Sequence, residues 1–233
     1  MRFVTSFVIS RLTADDSIIV VGAGHHALSV LGVVADVGCP VAGLVADGNE
    51  PGTKFAGAKV LGGLSTAAEL CTRIPAAKWV MAIGDNYHRL RIMREIQGLC
   101  PQAQFAPLVH PSCVIAPDVI LDEGSVVMPG AVVMAASRLR AASLVNTQAS
   151  LDHESSLDEG ASLAPGVVTA GNVKVGRRSF VGIGATIVQG ITIGSDSVIG
   201  AGSLLLHNVP DNTVAYGRPA RNIRAREVDE PYL

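Results

Sequence analysis

About two-thirds of the way along the chain stand Asp152, His153 and Glu154, an imidazole between two carboxylates. Imidazole is the side chain best matched to accepting a proton near neutral pH, and acidic neighbours can orient the ring and raise its basicity. The triplet reads as a general base, with a merely solvated surface histidine as the plain alternative. Gly171 follows 18 residues later. If that interval is one turn of a repeat, Gly171 lies beside His153, gives a thioester room and offers an N–H to a developing oxyanion. No activated Ser or Cys accompanies His153, so direct transfer needs no acyl-enzyme.

A second pattern lies near the start. Gly22-Ala23-Gly24-His25-His26-Ala27 matches G-x-G-x-x-A between a strand and a helix. The glycines let a ligand approach the backbone, and a helix N-terminus favours an anion such as a diphosphate. Asp47 closes the next strand, near where a ribose-binding acid would stand. Gly84-Asp85-Asn86 ends a further strand and should face the same crevice. The turn alone would fit NAD, but about ninety residues hold only the first half of a dinucleotide-binding fold. A nucleotide sugar explains it with less machinery, and a tight turn without ligand remains the alternative.

These residues need elements to hold them. From Val109 to Pro210 the chain divides into 17 six-residue units without an insertion or deletion. The first position of each is aliphatic in 16 units, with Thr169 as the exception, and the fifth is small or at most Val or Ile. Gly, Asp and Asn cluster at the second to fourth positions, where a chain must turn. The pattern predicts a triangular solenoid, with first residues inside, fifth residues at cramped corners and three units per coil. His153 and Gly171 then stack at about 4.8 Å. His207, three coils from His153, would be roughly 14 Å away, too far to share a metal, and reads as a surface residue. His25, His26, His88 and His110 add no H-x4-H pair to the solenoid, so zinc-hydratase chemistry is disfavoured and no metal is expected.

Residues 17–108 have a different grammar. Short apolar strands at Ser17–Val21, Val41–Ala46, Lys59–Leu61 and Lys78–Ile83 alternate with helices at Ala27–Val34 (stopped by Gly38), Thr66–Ile74 (capped by Ser65) and Tyr87–Leu99. That alternation predicts a small parallel, Rossmann-like sheet. The fold class is thus an α/β Rossmann-like domain followed by an all-β parallel β-helix. The units are an extension over 1–16, a nucleotide-sugar-binding domain over 17–106, a β-helix over 107–224 and a tail over 225–233. A net charge of −2 gives no footprint for nucleic acid or an anionic membrane. No apolar run approaches the ~18 residues that span a bilayer, and Phe7-Val8-Ile9 is too short for a signal peptide. A frayed extension is expected there. The four cysteines are scattered, which predicts neither a disulfide nor a thiolate zinc site and points to a cytoplasmic protein.

With these pieces placed, residues 17–224 resemble the sialic acid O-acetyltransferase and bacillosamine N-acetyltransferase group of the hexapeptide-repeat acyltransferases. The resemblance rests on the GAGHHA turn, the Ala82–Asn86 segment with Arg89, the Asp-His-Glu triplet and Ala170-Gly171-Asn172-Val173. It also includes Val181–Ala185 and the loop Val214–Arg221. It implies a left-handed β-helix and a homotrimer with acetyl-CoA in the groove between neighbouring solenoids. His153 would deprotonate the acceptor, Glu154 would hold its other ring nitrogen, and the Gly171 backbone would meet the thioester oxygen. Ile183 and Ala201 would line the cofactor path; Gly22, Gly24, His26, Asp47, Gly84, Asp85 and Asn86 would bind the sugar nucleotide. Two departures stand out. His25 replaces a glycine of the family's usual turn, and Ser162 stands where bacillosamine-type members often place a second histidine that contacts the acetyl group.

The expected activity is acetyl transfer from acetyl-CoA to the amine of a nucleotide-linked amino sugar, in surface-polysaccharide or glycan biosynthesis. O-acetylation of a sialic acid or similar sugar is the alternative on the same scaffold. A non-catalytic nucleotide-sugar-binding scaffold is the alternative of a different class.

Overall fold

The structure is a computed structural model and describes residues 12–232. Most of the expected N-terminal extension, Phe7-Val8-Ile9 included, lies outside the described residues. What is described of it is not frayed. Leu12 is buried, Asp16 closes a turn by accepting from Thr13 N at 2.8 Å, and the Cys39 thiol donates to Thr13 O.

The chain then enters a sheet of six strands: β1 (Ile18–Val21), β2 (Val41–Val45), β3 (Lys54–Phe55), β4 (Ala58–Gly62), β5 (Lys78–Met81) and β6 (Gln104–Phe105). Their order is β3-β4-β2-β1-β5-β6, parallel throughout except for the β3–β4 hairpin. β1 is buried along its whole length because helices cover both faces of the sheet, hence its unbroken Ile-Ile-Val-Val. Helix α1 (His25–Val37) buries Ala27, Val30, Val33 and Val34 on one face, and Gly38 ends it in a left-handed conformation that caps Val34 O and Ala35 O. Helices α2 (Ala67–Arg73) and α3 (Asn86–Leu99) cover the other face.

Two expectations change here. Ser65 does not cap α2: a 3-10 turn, Leu64–Thr66, precedes the helix, and its first N–H goes to Asp47. Cys71 and Cys100 form a disulfide, contrary to the reading of scattered free thiols. They lie 29 residues apart, but α2 and the end of α3 pack together and bring their Cα atoms to 6.5 Å. Spacing rules for adjacent cysteines do not register such a tertiary contact.

The solenoid is a left-handed parallel β-helix. It begins with β7 (Leu108–Val109), and a two-residue strand starts every six residues thereafter, down to β23 (Leu204–Leu205). Partners are 18 residues apart, as in Val126 with Leu144, so the strands stack into three faces. The inner positions Val127, Leu139, Leu157, Leu163, Val181 and Ile199 are fully buried in one continuous core. Each contributes about 1.5–3 kcal/mol by leaving water. The corners sharpen the repeat: the fourth residue of every unit from Gly124 to Gly202 has positive φ, whether Gly, Ala, Gln, Glu, Asn, Arg or Asp. The fold closes with a hairpin of β24 (Thr213–Gly217) and β25 (Ala220–Ala225), which extends one face. Sheet and solenoid share apolar cores, because Leu108, Val126, Met128 and Leu144 pack among the α1-side residues and Ala141 and Ala142 among the α3-side ones.

Candidate active site

β14 (Ser150–Leu151) runs into the corner that carries the Asp-His-Glu triplet. His153 projects outward, half exposed, and its Nδ1 lies 3.1 Å from Glu154 Oε2. A carboxylate only accepts, so in the neutral ring this contact places the proton on Nδ1 and the lone pair on Nε2. Glu154 holds the left-handed corner conformation at φ 56°. The turn is pinned from several sides: His153 N donates to Asp152 Oδ1 at 2.7 Å, Glu154 N to Ala135 O at 2.9 Å, and Asn172 N to His153 O at 2.7 Å.

Gly171 occupies the same corner one coil on. A Cβ there would overlap the His153 ring as it stands, so any larger residue would push the imidazole from this position. Among the described residues, the Gly171 N–H has no protein acceptor. A base with a free lone pair therefore stands beside an uncommitted N–H, which suits attack on a carbonyl carbon and stabilisation of the resulting oxyanion.

Ile183 and Ala201 are also exposed, but at another corner. His153 and Gly171 follow the strands of the β8–β11–β14–β17–β20–β23 face, whereas Ile183 and Ala201 precede them. The two pairs occupy opposite edges of that face.

The second assembly is a cavity of about 580 Å³ at the C-terminal ends of β1, β2 and β5, where an open parallel sheet binds ligands. Gly22, Gly24, His26, Asp47, Gly84 and Asp85 all line it, joined by His25 and Asn49. Gly22 has φ 116° and passes so near β5 that a Cβ would meet Ala82 O at 3.0 Å. Burial, helped by the Arg89 charge, lowers the His26 pKa to about 4, so its ring is neutral near pH 7. Asp47 Oδ1 accepts from Leu64 N at 2.9 Å, and Asp85 Oδ1 caps α3 by accepting from His88 N at 2.8 Å. Each carboxylate is thereby held in place, its other oxygen unconstrained by these bonds. His153 does not line this cavity.

Asn86 is the one expected ligand residue the structure turns elsewhere. It is fully buried; its Nδ2 donates to Arg178 O and Ser179 O, and its Oδ1 accepts from Ser162 Oγ at 2.7 Å and from Arg89. Ser162 thus belongs to the joint between sheet and solenoid. The Arg89 guanidinium, wholly buried, donates also to Ala142 O, Gly160 O, Ile83 O and Gly84 O. Burial lowers its pKa, an effect partly offset by Tyr232 and Asp85. Arginine nevertheless remains charged.

Tyr232 completes the joint. Its hydroxyl accepts from Asn86 N at 2.7 Å and its ring stacks on Phe180 at 4.5 Å. Burial raises its pKa to about 12. Sequence reasoning missed it, since nothing near Pro231-Tyr232 marks a partner 146 residues away. His207 is exposed and lines a small pocket beside the β24–β25 hairpin. Among the described residues, no group of three or more His, Cys, Asp or Glu side chains could hold a metal ion, and no helix is long and apolar enough to cross a membrane.

Two stretches of the chain match known protein families. Residues 17–96 match the PglD N-terminal domain, and residues 172–207 match the bacterial transferase hexapeptide (six repeats). No curated protein sequence matches the chain. Among solved structures, a histidine-to-alanine variant of GDP-perosamine N-acetyltransferase from Caulobacter crescentus, in complex with CoA and GDP-perosamine, superposes with a TM-score of 0.84. It is 31% identical, over 90% of this chain and 98% of that one. The acetyltransferase domain of PglB from Neisseria gonorrhoeae, in complex with acetyl coenzyme A, gives 0.81 at 32% identity, over 89% and 98%. WeeI from Acinetobacter baumannii, at 21% identity and 0.75, shares the fold. The chain belongs to the hexapeptide-repeat acetyltransferases of the bacillosamine and perosamine type.

Proposed function

We propose that this protein transfers an acetyl group from acetyl-CoA to the amine of a nucleotide-linked amino sugar. The observation that carries the proposal is the His153 ring, fixed through Nδ1 by Glu154 and backed onto the bare Gly171 backbone. The acceptor nitrogen attacks the thioester carbonyl while His153 Nε2 takes its proton. The Gly171 N–H stabilises the tetrahedral oxyanion. Collapse expels the CoA thiolate, which takes from His153 the proton the amine gave up and leaves as the free thiol. The sugar nucleotide lies in the 580 Å³ cavity, its diphosphate at the start of α1.

The acetyl-CoA groove is formed between copies in a homotrimer. Two features support this reading. The cofactor corner at Ile183 and Ala201 and the catalytic corner at His153 occupy opposite edges of one face. That face also exposes Val114, Met134, Val168, Val188 and Leu206. A ring of three copies sets one edge of each face against the opposite edge of the next and covers the apolar patch. The Cys71–Cys100 bridge removes the cysteine argument for a reducing cytoplasm, so that compartment is proposed from the use of acetyl-CoA and a nucleotide sugar alone.

The test is to follow free thiol from acetyl-CoA with UDP-, GDP- and dTDP-linked amino sugars, beside the corresponding hydroxy sugars and free sialic acid. Thiol release with an amino sugar alone is expected. Release only with hydroxyl acceptors would make the protein an O-acetyltransferase. Ligand binding by calorimetry with no release would make it a scaffold.

A further inference from the structure

Thr169 interrupts the repeat at its most consequential place. It is the only first-position residue among 17 that is not aliphatic, and it is buried with 4% exposure inside the prism. The rule it breaks is one of burial: an unneeded hydroxyl in an apolar core costs stability.

Its hydroxyl is used. In a regular coil the residue after each strand donates its N–H to the carbonyl of the strand's second residue one coil on. Met134 N to Leu151 O at 2.9 Å, Asn146 N to Leu163 O at 3.0 Å and Asp158 N to Val175 O at 2.9 Å follow this rule. Asp152 departs from it and donates to Thr169 Oγ1 at 3.1 Å. β14 and β17 (Val168–Thr169) accordingly register only Ser150 with Val168. Their neighbours on the same face register two residues each. The side chain of Thr169 points inward, so this bond turns the Leu151–Asp152 peptide away from the axial ladder. Asp152 in turn holds His153 N through Oδ1.

We propose that Thr169 is a positioning residue for His153. It substitutes a hydroxyl for a ladder carbonyl, and so tilts the turn that presents the imidazole to the Gly171 backbone. This rests on the reading of His153 as the general base. Places where a sequence breaks its own repeat rule without local need are where function is expected to override packing.

Thr169→Val keeps the shape and restores the aliphatic repeat. We expect kcat to fall roughly tenfold, because a small displacement of a reacting group is enough to do so. Both KM values should stay within about twofold and the melting temperature should hold or rise. Thr169→Ser, which keeps the hydroxyl, should restore most of the rate. A crystal structure of Thr169→Val should show Asp152 N moved onto the residue-169 carbonyl and the His153 ring displaced. A Val variant with the wild-type rate would overturn the proposal. So would a lowered melting temperature accompanying the slower rate, which marks a purely structural residue, or an unmoved Asp152 peptide. If the wild-type protein transfers no acetyl group, the proposed function fails on its own, and the crystal structure still decides the role of Thr169.

Discussion

The solenoid and the sheet build their sites by different means. At the His153 corner the imidazole and its Glu154 partner are set by backbone: a left-handed turn, a bare glycine and N–H groups whose positions follow from an 18-residue stacking period. Around the sheet cavity the working parts are held by side chains that reach across the molecule. Arg89 alone grips four carbonyls and Asn86. A repeat fixes geometry locally, whereas a joint fixes it through long-range bonds that must all form together. Damage to the first should stay local and chemical. Damage to the second should spread to stability and to acceptor binding.

The sharpest separation should come from Gly171→Ala. Its new methyl overlaps the imidazole, so kcat should drop by about 10²–10³. Circular dichroism should show the solenoid intact. Arg89→Met should do the opposite: lost donors leave buried carbonyls unpaired, costing about 3–5 kcal/mol in urea unfolding. Acceptor KM should rise with it, because Ile83 and Gly84 line the cavity.

Third is a pH effect confined to the sheet. The folded state holds His26 near pKa 4 against its ordinary 6.5, so the unfolded chain binds more protons between those values. Stability should therefore fall as pH drops from 6.5 toward 4, by at most about 3 kcal/mol. His26→Gln should flatten that slope in thermal unfolding, while a slope unchanged in the variant would assign it to other groups. The smallest effect is expected from Gly22→Ala, with its Cβ against Ala82 O. It should raise acceptor KM roughly tenfold, about 1.4 kcal/mol, and leave the acetyl-CoA KM unchanged.

The two regions also differ in how legible they are in the sequence. Periodicity converts sequence distance into space, so the 18-residue interval by itself pairs His153 with Gly171. The left-handed fourth position is only half legible, because Ala136, Gln148 and Arg178 adopt it without being turn-forming residues. In the sheet, β1, β2, β4 and β5, the helices and the glycine turn follow from local patterns, whereas the two-residue edge strands β3 and β6 carry no such signal. The 3-10 turn that displaces Ser65, the Cys71–Cys100 bridge and the burial of Asn86 depend on contacts distant in sequence. Asn86 has the local pattern of a ligand residue because it follows Gly84-Asp85. Its amide is consumed by Arg178, Ser179, Ser162 and Arg89 instead.

The central claim is that the solenoid corner performs the chemistry and His153 is its base. The direct measurement is thiol release from acetyl-CoA by His153→Ala with a nucleotide-linked amino sugar that wild type acetylates, alongside its sedimentation and melting. The account predicts a rate lower by roughly 10²–10⁴ with assembly and melting unchanged. A folded variant that acetylates at near the wild-type rate would contradict it.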